Sequence, residues 1–116
     1  MTLWCTPVER PFHSTIRVPG SKSIANRALI CAALSEGRST LKNLPDGDDT
    51  RAMLSGLQAL GIEVTRSGST ATVFRDAALQ SGEIHAELAG TTSRFLTALA
   101  ATAESSISID GHERLR

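Results

Sequence analysis

Hydrophobic and polar residues follow two different periods along this chain, and each period predicts one type of secondary structure. Stretches in which apolar and polar residues alternate predict strands, whereas apolar residues that recur every three or four positions predict helices. Strands are predicted at 12–18, 39–44, 62–67, 70–74, 83–88 and 105–109. Helices are predicted at 21–35, 48–60 and 91–103. Gly61 ends the second helix, and Gly68 separates the two strands of a hairpin.

The order of these elements is β-α-β-α-β-β, followed by a β-α-β series that begins the same order again. Sliding the chain over itself by 70 residues aligns a glycine, hydroxyl residues and an Ala/Leu-rich helix in both copies. The identical pairs are Gly20/Gly90, Ser23/Ser93, Ala28/Ala98, Leu29/Leu99, Ala33/Ala103 and Ser35/Ser105. The sequence therefore predicts an α/β fold of the α+β type, with one βαβαββ unit and part of a second.

The first predicted helix carries two cations, Lys22 and Arg27, in its first two turns. A helix N-terminus has a partial positive charge of about half an electron, so cations there are unfavourable unless an anion is also bound. At about 100° per residue, these cations, Ser23 and Asn26 fall within an arc of about 140°. Gly20 would allow close approach of a ligand to unpaired backbone N–H groups. We expect a phosphate or carboxylate to bind here.

The other two helices begin differently from each other. Asp48 and Asp49 place carboxylates at the start of the second helix, where no anion site is expected. The third helix begins with "AGTTSR", which again offers a glycine, hydroxyl groups and a cation, in Thr91, Thr92 and Arg94. This similarity to the first helix favours two anion sites in one small domain.

Each of these features also has a simpler interpretation. Lys22 and Arg27 could be solvated cations on a helix that Ser21 caps. The two threonines could be ordinary caps of the third helix, and Arg94 could be a surface ion-pair partner. The sequence of these segments alone leaves both interpretations open.

Composition limits the classes of function. Twelve basic residues balance twelve acidic ones, and the chain has four aromatic residues, so a nucleic-acid-binding surface is not expected. No apolar stretch approaches the roughly 18 residues of a membrane span. Cys5 and Cys31 are typical of reduced thiols in a cytoplasmic protein. No metal site is expected, because the histidines lack partners at ligand spacing; they are His13, His85 and His112. A Walker A loop and a GxGxxG motif are absent as well.

Several motifs resemble the 5-enolpyruvylshikimate-3-phosphate synthase family (3-phosphoshikimate 1-carboxyvinyltransferases). The segments "PGSKSIANRAL", "GDDTRAMLSGLQALGIEV", "LAGTTSRFLTALAA" and "IDGHERLR" carry the similarity, from about residue 15 to 116. The resemblance implies the inside-out α/β barrel of enolpyruvyl transferases, of which this chain would be a partial N-terminal domain. Within 1–116, residues 1–14 would be an N-terminal segment, 15–82 the first βαβαββ unit and 83–116 the start of the second.

The resemblance also implies a reaction in the shikimate pathway, which leads to chorismate and aromatic amino acids. The carboxyvinyl group of phosphoenolpyruvate is transferred to the 5-hydroxyl of shikimate 3-phosphate, without a metal or organic cofactor. By the family pattern Lys22 is catalytic and lies between the two substrates, and Ser23 and Arg27 bind shikimate 3-phosphate. Gly90 and Thr91 would contact phosphoenolpyruvate, with Arg94 a further possible contact.

The chain departs from the family pattern in several places. Ala25 replaces a serine, Leu88 stands where many members have asparagine, and Phe95 stands where many have proline. Family members are several times longer, so we expect a fragment that needs the missing C-terminal part and is inactive alone. Two alternatives remain: the sibling enolpyruvyl transferase that acts on UDP-N-acetylglucosamine, and a non-catalytic α/β module that binds phosphate groups.

Overall fold

The computed structural model describes residues 2–116, which form three α-helices, five strands and one turn of 3-10 helix. In chain order these are α1 (Lys22–Leu34), β1 (Gly37–Leu41), α2 (Asp48–Ala59), β2 (Glu63–Ser67), β3 (Thr70–Arg75), β4 (Gly82–His85), α3 (Gly90–Ala100), β5 (Ile107–Asp110) and the 3-10 turn (Glu113–Leu115). The mixture of helices and sheets confirms the α/β prediction. All three predicted helices and five of the six predicted strands are present, with ends displaced by at most three residues.

The first sheet is antiparallel, with strand order β1-β3-β2. The predicted hairpin is confirmed: β2 and β3 pair with Val64 opposite Val73, and the chain reverses at Gly68. β1 pairs with the other edge of β3, so that Leu41 lies opposite Ala71. Alternate residues of β3, including Ala71 and Val73, are buried beneath the helices, as the alternating pattern predicts.

The second sheet consists of β4 and β5, which are parallel and joined by α3. Ile84 and Ile109 are paired in this sheet. β5 begins at Ile107, which is 70 residues after Gly37 at the start of β1, since 37 plus 70 is 107. The offset that aligns the repeated sequence therefore also aligns the two strands that follow α1 and α3.

One hydrophobic core lies between the helices and both sheets. Its fully buried apolar side chains include Leu29 of α1, Met53 and Leu57 of α2, Val73 of β3 and Leu96 of α3. α2 packs closely on α3 where Gly56 faces Leu96, because a Cβ atom at position 56 would overlap Cδ1 of Leu96. This contact brings the two helices together over β4.

The strand predicted at 12–18 does not form, and that prediction is wrong for this chain. Residues 11–20 belong to no helix or strand, and Phe12 and Ile16 are 71% and 78% exposed. Alternation marks a segment that is able to pair, but a strand also needs a neighbour to accept and donate its backbone hydrogen bonds. Within residues 2–116 no strand lies beside this segment.

Residues 28–34 are apolar on all sides of α1, which predicts burial all round, but the body of the helix is buried on one face only. Its buried residues are Ala25, Asn26, Leu29, Ala32 and Ala33. Ile24 is 70% exposed, and Cys31 and Leu34 are exposed as well. α1 contacts α2, α3 and the first sheet, and these neighbours cover a single stripe of the helix. None of the helices within residues 2–116 combines the length and hydrophobicity that a membrane span requires.

Candidate functional site

The N-terminal end of α1 is capped and yet retains unpaired backbone donors. Ser21 is the N-cap, and its side-chain oxygen accepts a hydrogen bond from the Ile24 N–H at 3.4 Å. The Ala25 N–H donates to the Ser21 carbonyl. The N–H groups of Lys22 and Ser23 have no acceptor within residues 2–116. Capping by Ser21 and an open pair of donors therefore coexist, so the simpler interpretation does not remove the anion site.

Gly20 makes a close contact that the sequence does not predict. A Cβ atom at this position would overlap the backbone oxygen of Asn43, in the turn after β1. The absence of a side chain therefore allows close approach of two parts of the chain. Gly20 helps to hold the entrance of α1 against the 42–45 segment.

Lys22 is paired with a carboxylate from the neighbouring helix. Its Nζ atom lies 2.5 Å from Oδ2 of Asp49, and the two side chains are 61% and 23% exposed respectively. The sequence predicts only that Asp49 neutralises the start of its own helix, so its contact with Lys22 is a feature of the candidate site that the sequence does not reveal. The two residues are 27 positions apart, since 49 minus 22 is 27, and no local pattern relates them.

The start of α3 meets the same aspartate. The Thr92 hydroxyl, which is fully buried, donates to the Asp49 carbonyl at 3.2 Å. The N-cap of α3 is Ala89, which provides no side-chain hydrogen bond, so the interpretation of Thr91 and Thr92 as caps is wrong. Within residues 2–116 the N–H groups of both threonines lack acceptors. Asp49 thus joins the N-terminal ends of α1, α2 and α3.

Arg27 also connects α1 to α3. Its guanidinium carbon lies 5.5 Å from the centroid of the Phe95 ring, and its Nη1 donates to the Ser23 carbonyl at 3.0 Å. Thr91 lies one turn before Phe95 on the same face of α3, because residues four apart align on a helix. The contact between Arg27 and Phe95 therefore brings the second turns of α1 and α3 together.

Together these contacts place the starts of α1 and α3 side by side, and the surface between them, with Asp49 at one side, is called the groove below. The groove has two basic side chains, four backbone N–H groups without acceptors, and the positive ends of two helix dipoles. Lys22, Ser23 and Arg27 are all exposed, as is Thr91, whereas Gly90 is half-buried. Such an arrangement stabilises a multiply charged anion through charge and through hydrogen bonds that are already oriented.

Arg94 and Asn26 take no part in these contacts. Arg94 is exposed and forms no ion pair or side-chain hydrogen bond within residues 2–116, so the surface ion pair suggested for it is absent there. Asn26 lies one turn below Lys22 and is fully buried, and its amide has no hydrogen-bond partner within the same residues.

The cavity beside the groove is less suited to an anion. It has a volume of about 750 Å³ and lies between α2 and the β4–α3 link, and its charged lining consists of four carboxylates and one guanidinium, from Asp48, Asp49, Glu83, Glu87 and Arg51. These carboxylates would repel phosphate. His85 and His112 also line this cavity, and Nδ1 of His85 lies 3.2 Å from Oε1 of Glu87. Within residues 2–116 no three His, Cys, Asp or Glu side chains are close enough to hold a metal ion.

The ionisable groups with shifted pKa values also lie outside the groove. A hydrogen bond from Arg116 lowers the pKa of Asp110, at the end of β5, and the Gly111 N–H adds to the effect. A hydrogen bond to Asp48 raises the pKa of Arg51 on α2, and the charge of Asp46 acts in the same direction.

Comparison with known proteins gives a consistent set of relatives. The profile of the family described as "EPSP synthase (3-phosphoshikimate 1-carboxyvinyltransferase)" matches residues 8–116. The chain is 45% identical over 104 residues to a 3-phosphoshikimate 1-carboxyvinyltransferase of Paraburkholderia phytofirmans, covering 87% of this chain and 24% of that protein. It is 42% identical over 118 residues to the protein of the same name from Pseudomonas savastanoi pv. phaseolicola, covering 99% and 28%.

The fold agrees with this result. An EPSP synthase from Acinetobacter baumannii superposes with a TM-score of 0.71 and 20% identity, over 84% of this chain and 23% of that one. At this identity the likeness shows the fold alone. The chain spans about a quarter of the length of the relatives that it matches, at 24% and 28% of the two described above. Because the family profile covers nearly the whole chain, the chain belongs to the EPSP synthase family.

Proposed function

We propose that this chain supplies part of the active site of a 3-phosphoshikimate 1-carboxyvinyltransferase. That enzyme joins the 5-hydroxyl oxygen of shikimate 3-phosphate to the carboxyvinyl group of phosphoenolpyruvate and releases phosphate. The observation that carries the proposal is the groove between α1 and α3, in which cations and unpaired N–H groups from two helix starts face each other. Both substrates are polyanions, so a site that brings them together must offset their mutual repulsion.

The geometry supports a division of roles between the two helix starts. Ser23 and Arg27 on α1 would bind shikimate 3-phosphate, while Gly90 and Thr91 at the start of α3 would bind phosphoenolpyruvate through backbone N–H groups. Lys22 would lie between the substrates, where one ammonium group can neutralise charge on both. The contribution of these residues is to position the reactants and to stabilise charge in the transition state.

The ion pair with Asp49 affects how Lys22 can bind a substrate. The ammonium group is paired with this carboxylate at 2.5 Å, so an incoming anion has to share or replace that partner. The Lys22 side chain is largely exposed although Asp49 is only 23% exposed, so water screens the pair from the lysine side and such an exchange is feasible. Asp49 would thus hold Lys22 at the groove before the substrates bind.

We further propose that the chain requires the rest of the enzyme to complete the site, since it spans about a quarter of its relatives. By itself it would bind substrate weakly and would not turn it over. A cytoplasmic location belongs to the same proposal, and two exposed cysteines without a disulfide are consistent with it.

The test is a titration of the isotope-labelled chain followed by NMR. Shikimate 3-phosphate should shift the backbone amides of Lys22, Ser23 and Arg27, and the Lys22→Ala and Arg27→Ala variants should lose these shifts while they keep the amide spectrum of a folded chain. Arg38→Ala is the matched control, because Arg38 is an exposed cation on β1 that pairs with the Phe74 ring away from the groove.

Three outcomes would overturn the proposal. If the wild-type amides do not move, the groove does not bind this substrate. If UDP-N-acetylglucosamine produces the shifts and shikimate 3-phosphate does not, the sibling enzyme is the better assignment. If both variants unfold, the two cations are structural. Binding of RNA in a salt-dependent gel shift would instead support the non-catalytic phosphate-binding module.

A further inference from the structure

Arg27 is held in the groove by an aromatic ring rather than by a carboxylate. Its guanidinium lies over the Phe95 ring at 5.5 Å, and within residues 2–116 it forms no ion pair. Lys22, by contrast, is held by Asp49. The two basic residues of the groove are therefore oriented by different means, one by charge and one by stacking.

The Phe95 ring is a fixed platform for this contact. It is partly buried and packs against the hydrophobic core, in the second turn of α3. Arg27, on the second turn of α1, is exposed. The ring therefore has little freedom to follow the guanidinium, and the contact restricts the arginine more than the phenylalanine.

Most hydrogen-bond donors of the Arg27 guanidinium are unused. An arginine has five N–H donors in one plane, and here one of them, on Nη1, is used by the Ser23 carbonyl. The guanidinium lies over the Phe95 ring and forms no other hydrogen bond within residues 2–116, so its remaining donors stay available. A planar group held in this way is suited to binding a phosphate through two parallel hydrogen bonds.

We propose that Phe95 is a positioning residue that orients the Arg27 guanidinium so that its edge donors face the groove. The inference rests on the proposed function, in which Arg27 binds shikimate 3-phosphate. Phe95 itself would not touch that substrate. Because it belongs to the helix whose start would bind phosphoenolpyruvate, it also ties the position of Arg27 to that of the second anion site.

The experiment compares substitutions of Phe95 in the chain, with inorganic phosphate and shikimate 3-phosphate as the probes. In the unliganded protein, the ring current of Phe95 should displace the Arg27 Nε–H resonance, and Phe95→Leu should return it towards the value of an unstacked arginine. Phe95→Leu should also weaken shikimate 3-phosphate binding by about two- to fivefold, the factor expected for an exposed cation–π contact. Phe95→Trp should retain the displaced resonance and bind at least as tightly as the wild type.

A matched control is available elsewhere in the molecule. Arg38 lies 5.1 Å from the Phe74 ring, across the β1–β3 pair, and this contact is not part of the groove. Phe74→Leu removes a similar contact, so it should return the Arg38 Nε–H resonance towards the value of an unstacked arginine. It should leave the affinity for shikimate 3-phosphate unchanged.

The outcomes separate this inference from the proposed function. Wild-type binding with equal affinity in Phe95→Leu would overturn the role of Phe95 and leave the proposed function intact. Failure of the wild type to bind would overturn the proposed function itself. If Phe95→Leu does not fold, Phe95→Trp decides: an Arg27 resonance that no longer senses a ring, with unchanged affinity, would overturn the inference.

Discussion

At the scale of single residues, Asp49 shows how a side chain and a backbone carbonyl of one residue organise a site. Its carboxylate pairs with Lys22 and its carbonyl accepts the Thr92 hydroxyl, so the starts of three helices meet at one position. The pair of aspartates before α2 has the composition of an ordinary helix start. Only the contacts show that one of the two has a second role.

Two glycines at the starts of α1 and α3 should respond differently to the same substitution. Gly20→Ala places a methyl group against the Asn43 carbonyl, so it should lower the free energy of unfolding by about 1–3 kcal/mol. Gly90→Ala meets only Cδ1 of Leu115, at 3.9 Å, and should leave stability within about 1 kcal/mol of the wild type. Urea unfolding measures both.

The same two glycine variants also test the proposed contact with phosphoenolpyruvate. If Gly90 contacts phosphoenolpyruvate through its backbone, then Gly90→Ala should weaken phosphate-ligand shifts at Thr91 despite its normal stability. Equal loss of stability in the two variants would contradict the packing described for Gly20.

At the scale of elements, the packing of α2 on α3 depends on a glycine in the middle of α2. Gly56 is in the interior of α2, where glycine is a poor helix former. Its absence of a side chain allows Leu96 of α3 to approach the helix backbone, and this approach outweighs the propensity. The Gly56–Leu96 contact and the Asp49–Thr92 hydrogen bond both join α2 to α3. Core packing and the geometry of the groove are therefore linked.

Gly56→Ala should therefore be destabilising, although alanine is the better helix former. We expect the free energy of unfolding to fall by about 1–3 kcal/mol, since Leu96 must move to accommodate the new methyl group. Ser55→Ala, an exposed neighbour on α2, is the control and should change stability by no more than about 0.5 kcal/mol. A gain in stability for Gly56→Ala in thermal or urea unfolding would contradict the close contact between α2 and α3.

At the scale of the whole molecule, the folded part of the chain has two sheets that share one core with three helices. The segment before α1 lies outside that core, with exposed apolar residues such as Trp4 and Ile16. The end of the chain is tied back to the second sheet through the Arg116–Asp110 ion pair, whose Nη2 and Oδ2 atoms are 2.5 Å apart. We expect this pair to make the stability of the fold depend on pH.

The pH dependence follows from the lowered pKa of Asp110. A carboxylate whose pKa is lower in the folded state stabilises the protein above its ordinary value of about 3.8, and this contribution is lost as the pH falls through the folded-state pKa. Arg116→Gln should therefore be less stable than the wild type at neutral pH, and the difference should shrink in acid. Arg114→Gln is the control, because Arg114 forms no ion pair within residues 2–116. A difference that is independent of pH in urea unfolding would contradict this assignment.

Much of the local structure could be predicted from the sequence because its causes are local. The hairpin follows from two alternating segments around Gly68, and α2 follows from an apolar stripe between Asp48 and Gly61. The basic start of α1 and the hydroxyl-rich start of α3 were recognised as unusual for the same reason. Charge, periodicity and helix-end chemistry act over a few residues, and the sequence displays them directly.

Tertiary structure alone decided the remaining features, because each depends on residues far apart in the chain. The alternating segment at 12–18 has no strand beside it, so its pattern produces no sheet. Gly20 faces Asn43, Asp49 holds Lys22, and Phe95 lies beneath Arg27. The sequence by itself determined which groups are present at each helix start. Packing of α1, α2 and α3 determined which of those groups meet, since side-chain contacts between helices depend on relative position in space rather than on spacing along the chain.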